Sequence, residues 1–287
     1  IIYQEILNRY IEAKPIVYIT YQEKILPDTI KPNQVTILYH LSNIRENILD
    51  WYDIDKEATV LEIGSGCGAI TGLLCKKAGK VTCIELSKKR SQINAARNSK
   101  YENLEIMVGN FEDIVLEEKF DYVTLIGVLE YAPSYISKGE PFFTMLDKIK
   151  GFLKPGGKVI IAIENKFGLK YFAGATEDHT GRLFDGVEDY SKVNSVRTFS
   201  KVEIEAVLSN VGFGTQEFYY PMPDYKMPTV IYSENYLPKR GELRNISGAY
   251  DRERYAFFNE EVVYDQFCED GKFEYFANSF LIIAAID

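Results

Sequence analysis

The chain is poor in histidine, with only two among 287 residues. Imidazole chemistry can come only from His40, just before the lead helix, or from His179. Paired cysteines are missing as well. Cys67, Cys75, Cys83 and Cys268 form no C-x-x-C pair, which argues against a zinc site and for reduced, small apolar side chains in a cytosolic, cytoplasmic protein. Basic charge is in deficit: the net charge is −9 and the pI near 5.0. No dense Lys/Arg cluster stands out to neutralise phosphates, so no nucleic-acid partner is expected. Long apolar runs are absent. The most apolar stretch, SFLIIAAI near the C-terminus, is much shorter than the ~20 residues a membrane span needs and reads as a buried strand. The first residues carry no signal-peptide pattern. No internal repeat or low-complexity tract appears.

What remains is an ordinary globular composition, 46% hydrophobic and 26% charged. The length suits one large domain or one domain with sizeable insertions. In HLSNIRENILDWYDI, Ser42 is a plausible N-cap, and Ile44, Ile48 and Trp51 recur at helical spacing. From Val60 onward strands and helices alternate: VLEI, then AITGLLCKKAG; KVTCIEL, then KKRSQINAARN; LEIMVG; FDYVTLIGV; PFFTMLDKIKGFL; and KVIIAIE. Such alternation predicts an α/β fold, a doubly wound and mostly parallel sheet. A later helix, SKVEIEAVLSNVG, stops at Gly212 and precedes a strand near GTQEFYY; NSFLIIAAI is the final strand. Two segments break the alternation, 164–199 and 221–277. Loops this long are usually functional, and their aromatic content argues against disorder. The second reads either as a lid or as a dimer surface.

The stretch VLEIGSGCGAIT places Glu62 just before Gly64, Gly66 and Gly68. In an open parallel sheet ligands bind beyond the carboxyl ends of the strands, and glycine lets a ligand approach the backbone. Glu85 ends the second strand about 20 residues later, where a carboxylate accepts hydrogen bonds from ribose hydroxyls. The ligand is therefore expected to contain a ribonucleoside. Glu62 favours a cationic ligand over a pyrophosphate.

The run E-x-G-x-G at 62–66, the acid Glu85, VGNFEDI (108–114), FDYVTLIGVLEY (120–131) and LKPGGK (153–158) together resemble the Rossmann-like, class I S-adenosylmethionine-dependent methyltransferases. The resemblance implies a seven-stranded sheet with an antiparallel last strand and S-adenosyl-L-methionine as cofactor. Residues 1–52 then form an N-terminal appendage and lead helix, and 53–287 the methyltransferase domain with insertions near 164–199 and 221–277. It implies that Gly64, Ser65, Gly66 and Cys67 flank the amino-acid part of the cofactor and that Glu62 helps orient its ammonium. Glu85 and Leu86 would lie at the ribose, Asn110 at the adenine amino group and Phe111 against the adenine ring. Gly127 and Glu130 would line the methyl-transfer face. The segment ENKFGLKYFAGATEDHTGRLFDGVEDY further resembles a bacterial subset found beside or fused to glycosyltransferases of surface-polysaccharide pathways.

An alcohol acceptor needs a base within hydrogen-bond reach. His179 stands in a polar loop after the fifth strand and suits proton removal, with Asp178 or Glu177 orienting it. Glu164 and Asn165 are expected to grip acceptor hydroxyls, Arg182 to bind an acidic group or to pair with Asp185, and Tyr131, Tyr171, Phe172 and Tyr190 to wall the pocket. No metal site is expected; Glu177, Asp178 and Asp185 carry acids, but spacing alone does not make them ligands. The expected acceptor is a small molecule, a hydroxyl of a sugar or glycan. The alternatives are methylation of nitrogen or carbon on another small molecule, a nucleotide-dependent oxidoreductase, or a cofactor-fold module that docks a glycosyltransferase. A second copy of the chain is the other candidate partner.

Overall fold

In a computed structural model, which describes residues 39–137, 139–191, 195–244 and 254–286, the strand–helix alternation closes into one mixed sheet of eight strands. The expected lead-in before residue 39 lies outside the described residues. Ser42 caps as its sequence predicts, its hydroxyl accepting from the Ile44 amide, but the first turn is a 3-10 turn, Asn43–Glu46, that continues into α1, Asn47–Asp50. Ile48 faces the core, whereas Trp51 is 43% exposed. The helical period therefore ends one turn earlier than its spacing suggests.

Five strands run parallel: β1 (Thr59–Ile63), β2 (Lys80–Glu85), β3 (Leu104–Val108), β4 (Phe120–Ile126) and β5 (Leu153–Glu164). Crossover helices α2 (Thr71–Lys77), α3 (Lys88–Arg97), α4 (Ala132–Tyr135) and α5 (Pro141–Phe152) connect them. A short helix, α6 (Leu169–Phe172), follows β5. The next long helix, α7 (Lys201–Val211), opens with a capping box between Ser200 and Glu203 and ends on left-handed Gly212, as the local pattern requires. Then come β6 (Thr215–Met222), β7 (Val230–Ser233), α8 (Glu260–Glu269), α9 (Phe273–Phe276) and β8 (Ser279–Ala285).

The strand order is β3-β2-β1-β4-β5-β8-β6-β7. β8 is antiparallel to β5 and to β6, so β6 runs in the same sense as β1 to β5. The last strand is antiparallel as expected, but the sheet has eight strands rather than seven. The extra one, β7, is the return arm of a hairpin on β6; its four residues are too few to show a period in the sequence. β5 also begins earlier than KVIIAIE suggests, because Leu153 already pairs with Phe120 before a register shift. Helices cover both faces, so β5 is apolar where it crosses the core: Val159 to Ile163 are fully buried.

The topology fixes where a ligand can lie. Chain order reverses between β1 and β4, the position at which such sheets open a crevice. The carboxyl ends of β1 to β6 converge there. They deliver the glycine loop, Glu85, Asn110, Gly127 to Glu130, Glu164 and the turn after Met222 to one edge.

Candidate cofactor and acceptor site

The glycine loop is shaped by its neighbours. Gly64 has φ +71°, and a Cβ there would stand 2.5 Å from Val128 Cγ2; on Gly68 it would meet Asn94 Oδ1. Those two positions are closed by the protein itself. Gly66 also has positive φ, yet a Cβ there would find nothing nearer than 3.9 Å. It is thus the one glycine of the loop that leaves its face free for a ligand. Its amide donates to Glu85 Oε2 at 2.9 Å, while Ser87 N donates to Glu85 Oε1 at 2.8 Å. Each carboxylate oxygen keeps a second lone pair for a hydroxyl donor, so the acid on β2 ties the loop and remains able to hold a diol.

Glu62 is buried and turned toward α2. Its Oε2 accepts from the Thr71 hydroxyl at 2.5 Å and the Cys83 thiol at 3.3 Å. Burial, only partly opposed by these bonds, pushes its pKa up to about 7. Cys67 is buried beside the loop, and its thiol is pushed up to about 11 by burial; it is an inert wall. Ser65 Oγ and Asn110 Oδ1 are buried without a hydrogen-bond partner. Such orphans are rare in folded proteins, and both lie on this edge. Leu86 is 56% exposed next to Glu85. Phe111 corrects the expectation from its motif. It is 4% exposed and packs edge-on against Phe152 within the core, so it cannot stack on a base.

A second group of side chains gathers at the ends of β4, β5 and β6. His179 sits at its centre. Nδ1 lies 2.8 Å from Glu177 Oε1, and Nε2 lies 3.5 Å from Glu130 Oε1 and 3.9 Å from Glu164 Oε2. Glu177 Oε2 also accepts from the amides of His179 and Thr180. Burial disfavours a charged imidazole, but Glu164, Glu130 and Glu177 outweigh it and push His179 up to about 11. A ring held protonated at neutral pH offers no lone pair, so His179 is not the free base its sequence context suggests.

Asp178 does not orient it. Its carboxylate accepts from Tyr171 OH at 2.6 Å and pairs with Lys170 and Lys226 at 2.8 and 2.5 Å. Despite burial, these two ammonium groups hold it well below the usual carboxylate range. Asn165 also departs from expectation. Fully buried, it donates to the carbonyls of Tyr275 and Ala277 at 2.8 Å each, which makes it a pin between β5 and the chain before β8 rather than an acceptor grip. Arg182 is exposed and forms no ion pair with Asp185. Tyr171 and Tyr190 are buried with their hydroxyls spent on Asp178, Glu177 and Thr198. Tyr131 meets the His179 ring edge-on at 5.1 Å, whereas Phe172 packs edge-on against Phe276 at 6.0 Å.

Sequence reasoning missed Tyr225 and Lys226, which follow β6. Lys226 Nζ pairs with Glu164 Oε1 at 2.5 Å, and Tyr225 OH donates to the same oxygen at 3.3 Å. A Cβ on Gly127 would stand 2.6 Å from Tyr225 OH. The glycine ending β4 is therefore the gap through which the tyrosine reaches Glu164.

Residues 61–161 match the protein family described as methyltransferase domain. That span carries a methyltransferase domain. The matched span contains the glycine loop, Glu85, Asn110 and Glu130. Among curated proteins, the small-subunit ribosomal RNA methyltransferase A of Alkaliphilus metalliredigens is 28% identical over 152 residues, covering 52% of this chain and 51% of that one. The demethylmenaquinone methyltransferase of Bacillus licheniformis is 27% identical over 142 residues, covering 48% and 58%. The chain thus spans about half the length of the curated relatives it matches. Among solved structures, the Haloferax volcanii complex of the Trm112 activator with a methyltransferase is 17% identical, with TM-score 0.53, covering 88% of this chain and 92% of that one. A methyltransferase from Thermotoga maritima is 14% identical, with TM-score 0.51, covering 88% and 93%. At these identities the two structures show the shared fold.

The cofactor of the methyltransferase domain is S-adenosylmethionine, and the residues present fit it. Gly66 leaves an open backbone face, Glu85 retains capacity for a diol, and the buried Asn110 oxygen lacks the donor that an adenine amino group would supply. No helix among the described residues is long and apolar enough to cross a membrane.

Proposed function

We propose that the protein methylates a hydroxyl of a small, polyhydroxylated acceptor, a sugar or glycan unit, bound against the ends of β4, β5 and β6. The observation that carries this reading is the pair of orphaned carboxylate oxygens beside His179. Glu130 Oε2 and Glu164 Oε2 are both buried without a hydrogen-bond partner. A buried carboxylate oxygen without a donor is costly, and hydroxyl groups are donors of the right kind. The two residues are 1% and 0% exposed, so the ligand that satisfies them must enter the strand ends. Phosphate-rich acceptors fit poorly. The chain carries a net charge of −9, and this cluster is rich in carboxylates, which repel a nucleic-acid backbone.

In this reading Gly64, Ser65 and Gly66 hold the amino-acid end of the cofactor, Glu85 and Leu86 its ribose side, and Asn110 its adenine. Bound there, S-adenosylmethionine supplies an electrophilic methyl group. The chain's own residues do the rest by orientation, which lowers barriers by several kcal/mol. Glu130 and Glu164 accept from the acceptor hydroxyl, Tyr131 packs along it, and Lys226 fixes Glu164. Glu177 fixes His179 so that its Nε2 faces the two acids. The segments 164–199 and 221–277 act as insertions in a methyltransferase domain spanning 53–287 and build the acceptor side. The resemblance of 164–190 to methyltransferases of surface-polysaccharide pathways accords with a sugar hydroxyl.

The test is transfer of labelled methyl from S-adenosylmethionine to a panel of monosaccharides, nucleotide sugars and glycan fragments, with ribosomal RNA and protein as further arms. Incorporation into one of the sugar arms, lost in Glu164→Gln, is the expected result. Incorporation confined to the RNA or protein arm overturns the assignment.

A further inference from the structure

We propose that Glu130, Glu164 and His179 form a binding site for one divalent transition-metal cation of the Mn2+ or Zn2+ type, at the point where the acceptor hydroxyl lies. The proposal rests on the acceptor reading above and deepens it. One oxygen from each acid and Nε2 of the imidazole all lie within 4.8 Å of one another. Metal–ligand lengths of about 2.0–2.2 Å place neighbouring ligand atoms roughly 3–3.6 Å apart. The separations of Nε2 from Glu130 Oε1 and Glu164 Oε2, 3.5 and 3.9 Å, approach that spacing, and small rotations of side chains close the difference. Glu164 Oε2 is fully buried and without a hydrogen-bond partner while it faces the imidazole, and Glu130 Oε2 is likewise orphaned.

The surroundings match those of a ligating histidine. A metal-bound imidazole almost always gives its other N–H to a carboxylate, which fixes the ring and its tautomer. Glu177 does this at 2.8 Å from Nδ1 and is itself held by two backbone amides. Nε2 is thereby aimed at the two acids. Lys226 occupies only the other oxygen of Glu164, so the oxygen facing His179 stays available.

Charge balance supplies an independent reason. Five buried or nearly buried carboxylates, Glu130, Glu164, Glu177, Asp178 and Asp224, gather around two ammonium groups, Lys170 and Lys226. Ligation at Nε2 displaces the ring proton, and negative charge then exceeds positive by three. Buried charge without compensation is strongly unfavourable, and a divalent cation offsets two of those three charges. Two carboxylates and one imidazole are a mixed set that suits Mn2+ or Zn2+ better than an all-oxygen ion. Three protein ligands leave coordination positions open. A hydroxyl bound at one of them would be drawn to the strand ends and would lose proton affinity, as metal-bound water does.

The experiment uses the whole chain, stripped with EDTA and dialysed. Mn2+ is titrated while free ion is followed by electron paramagnetic resonance, and Zn2+ is titrated by calorimetry. One ion per chain is expected, with affinity weakened at least about tenfold in Glu130→Gln and by a similar factor in Glu177→Gln. Glu130→Gln is nearly isosteric, and its fold is checked by the thermal shift that S-adenosylhomocysteine produces. Absence of saturable binding of either ion up to millimolar concentration, with the homocysteine product still binding, overturns the cation site and leaves the cofactor reading intact. Equal affinity in wild type and Glu130→Gln also overturns it, because the ion then sits elsewhere. Loss of the thermal shift in the wild-type chain instead refutes the cofactor reading on which the proposal stands.

Discussion

Glu62→Gln isolates the electrostatics beneath the glycine loop. Glu62 titrates near 7 in the folded protein instead of at the ordinary 4.5, because burial outweighs the hydrogen bonds from Thr71 and Cys83. The folded state therefore binds a proton more readily than the unfolded chain between pH 4.5 and 7. Stability falls as pH rises through that window, since the native state must then give up the proton or hold a buried charge. Below 4.5 both states are protonated and there is no penalty; above about 7 the penalty is complete. A shift of this size corresponds to about 3 kcal/mol. Glutamine keeps an oxygen for Thr71 and cannot ionise. The variant should match wild type near pH 4.5 and exceed it by about 3 kcal/mol at pH 8, or roughly 6–10 °C in melting temperature. Urea unfolding of both chains at half-unit pH steps measures this directly. If the two stability curves run parallel across the window, Glu62 is ionised in the native state and the burial argument is wrong.

Four further substitutions separate space, charge and anchoring. Gly66→Ala meets no atom nearer than 3.9 Å, so it should cost only about 1–2 kcal/mol for its positive φ while weakening S-adenosylhomocysteine at least about tenfold by calorimetry. Gly64→Ala points into Val128 and should cost about 2–5 kcal/mol from backbone strain and overpacking combined; equal stability losses at the two positions would contradict the loop's geometry. Lys226→Met strips the ammonium from Glu164 and Asp178, each 2.5 Å away, and should cost about 3–5 kcal/mol in urea unfolding; a loss under about 1 kcal/mol would mean the pairs are water-screened. Asn165→Ala removes two buried donors and should destabilise by about 1–3 kcal/mol with no change in affinity for S-adenosylhomocysteine; a loss of that affinity would return Asn165 to the ligand site.

The cofactor half of the protein was legible because its signals are local. The glycines, Glu85 and Asn110 each sit at the end of a strand whose apolar run marks it, and the order of those strands follows from the handedness of crossovers. The acceptor half was not. His179 lies where the loop pattern suggests, but its protonation depends on Glu130 and Glu164, which the sheet brings in from two other strands. Asp178 and Glu177 were interchangeable on paper; only the backbone of the turn, where the Glu177 amide donates to the Arg182 carbonyl, decides which carboxylate turns toward the ring. Lys226 and Tyr225 gave no signal because they reach Glu164 from the turn after β6, a strand that pairs with β8 rather than β5. Phe111 and Asn165 share the reverse error: each lies in a motif, yet the core and the chain before β8 had a stronger claim on it.

This division has a consequence for how the two halves respond to change. The loop after β1 and the acid on β2 hold each other through Gly66 and Glu85, and among the described residues the hydrogen bonds of the Glu85 carboxylate run to Gly66 and Ser87. The proposed acceptor cluster is instead held by charges from segments 164–199 and 221–277, Lys170 and Asp178 from the first and Lys226 from the second. Neutralising any of the three leaves a buried partner without compensation, so these segments cannot be trimmed to surface loops without refilling the strand ends. Replacement of Lys170 by Met should therefore lower stability and acceptor binding together, yet leave affinity for S-adenosylhomocysteine within about twofold. A matching fall in that affinity would show that the two halves are one cooperative unit, joined through Gly127 where Tyr225 crosses the end of β4.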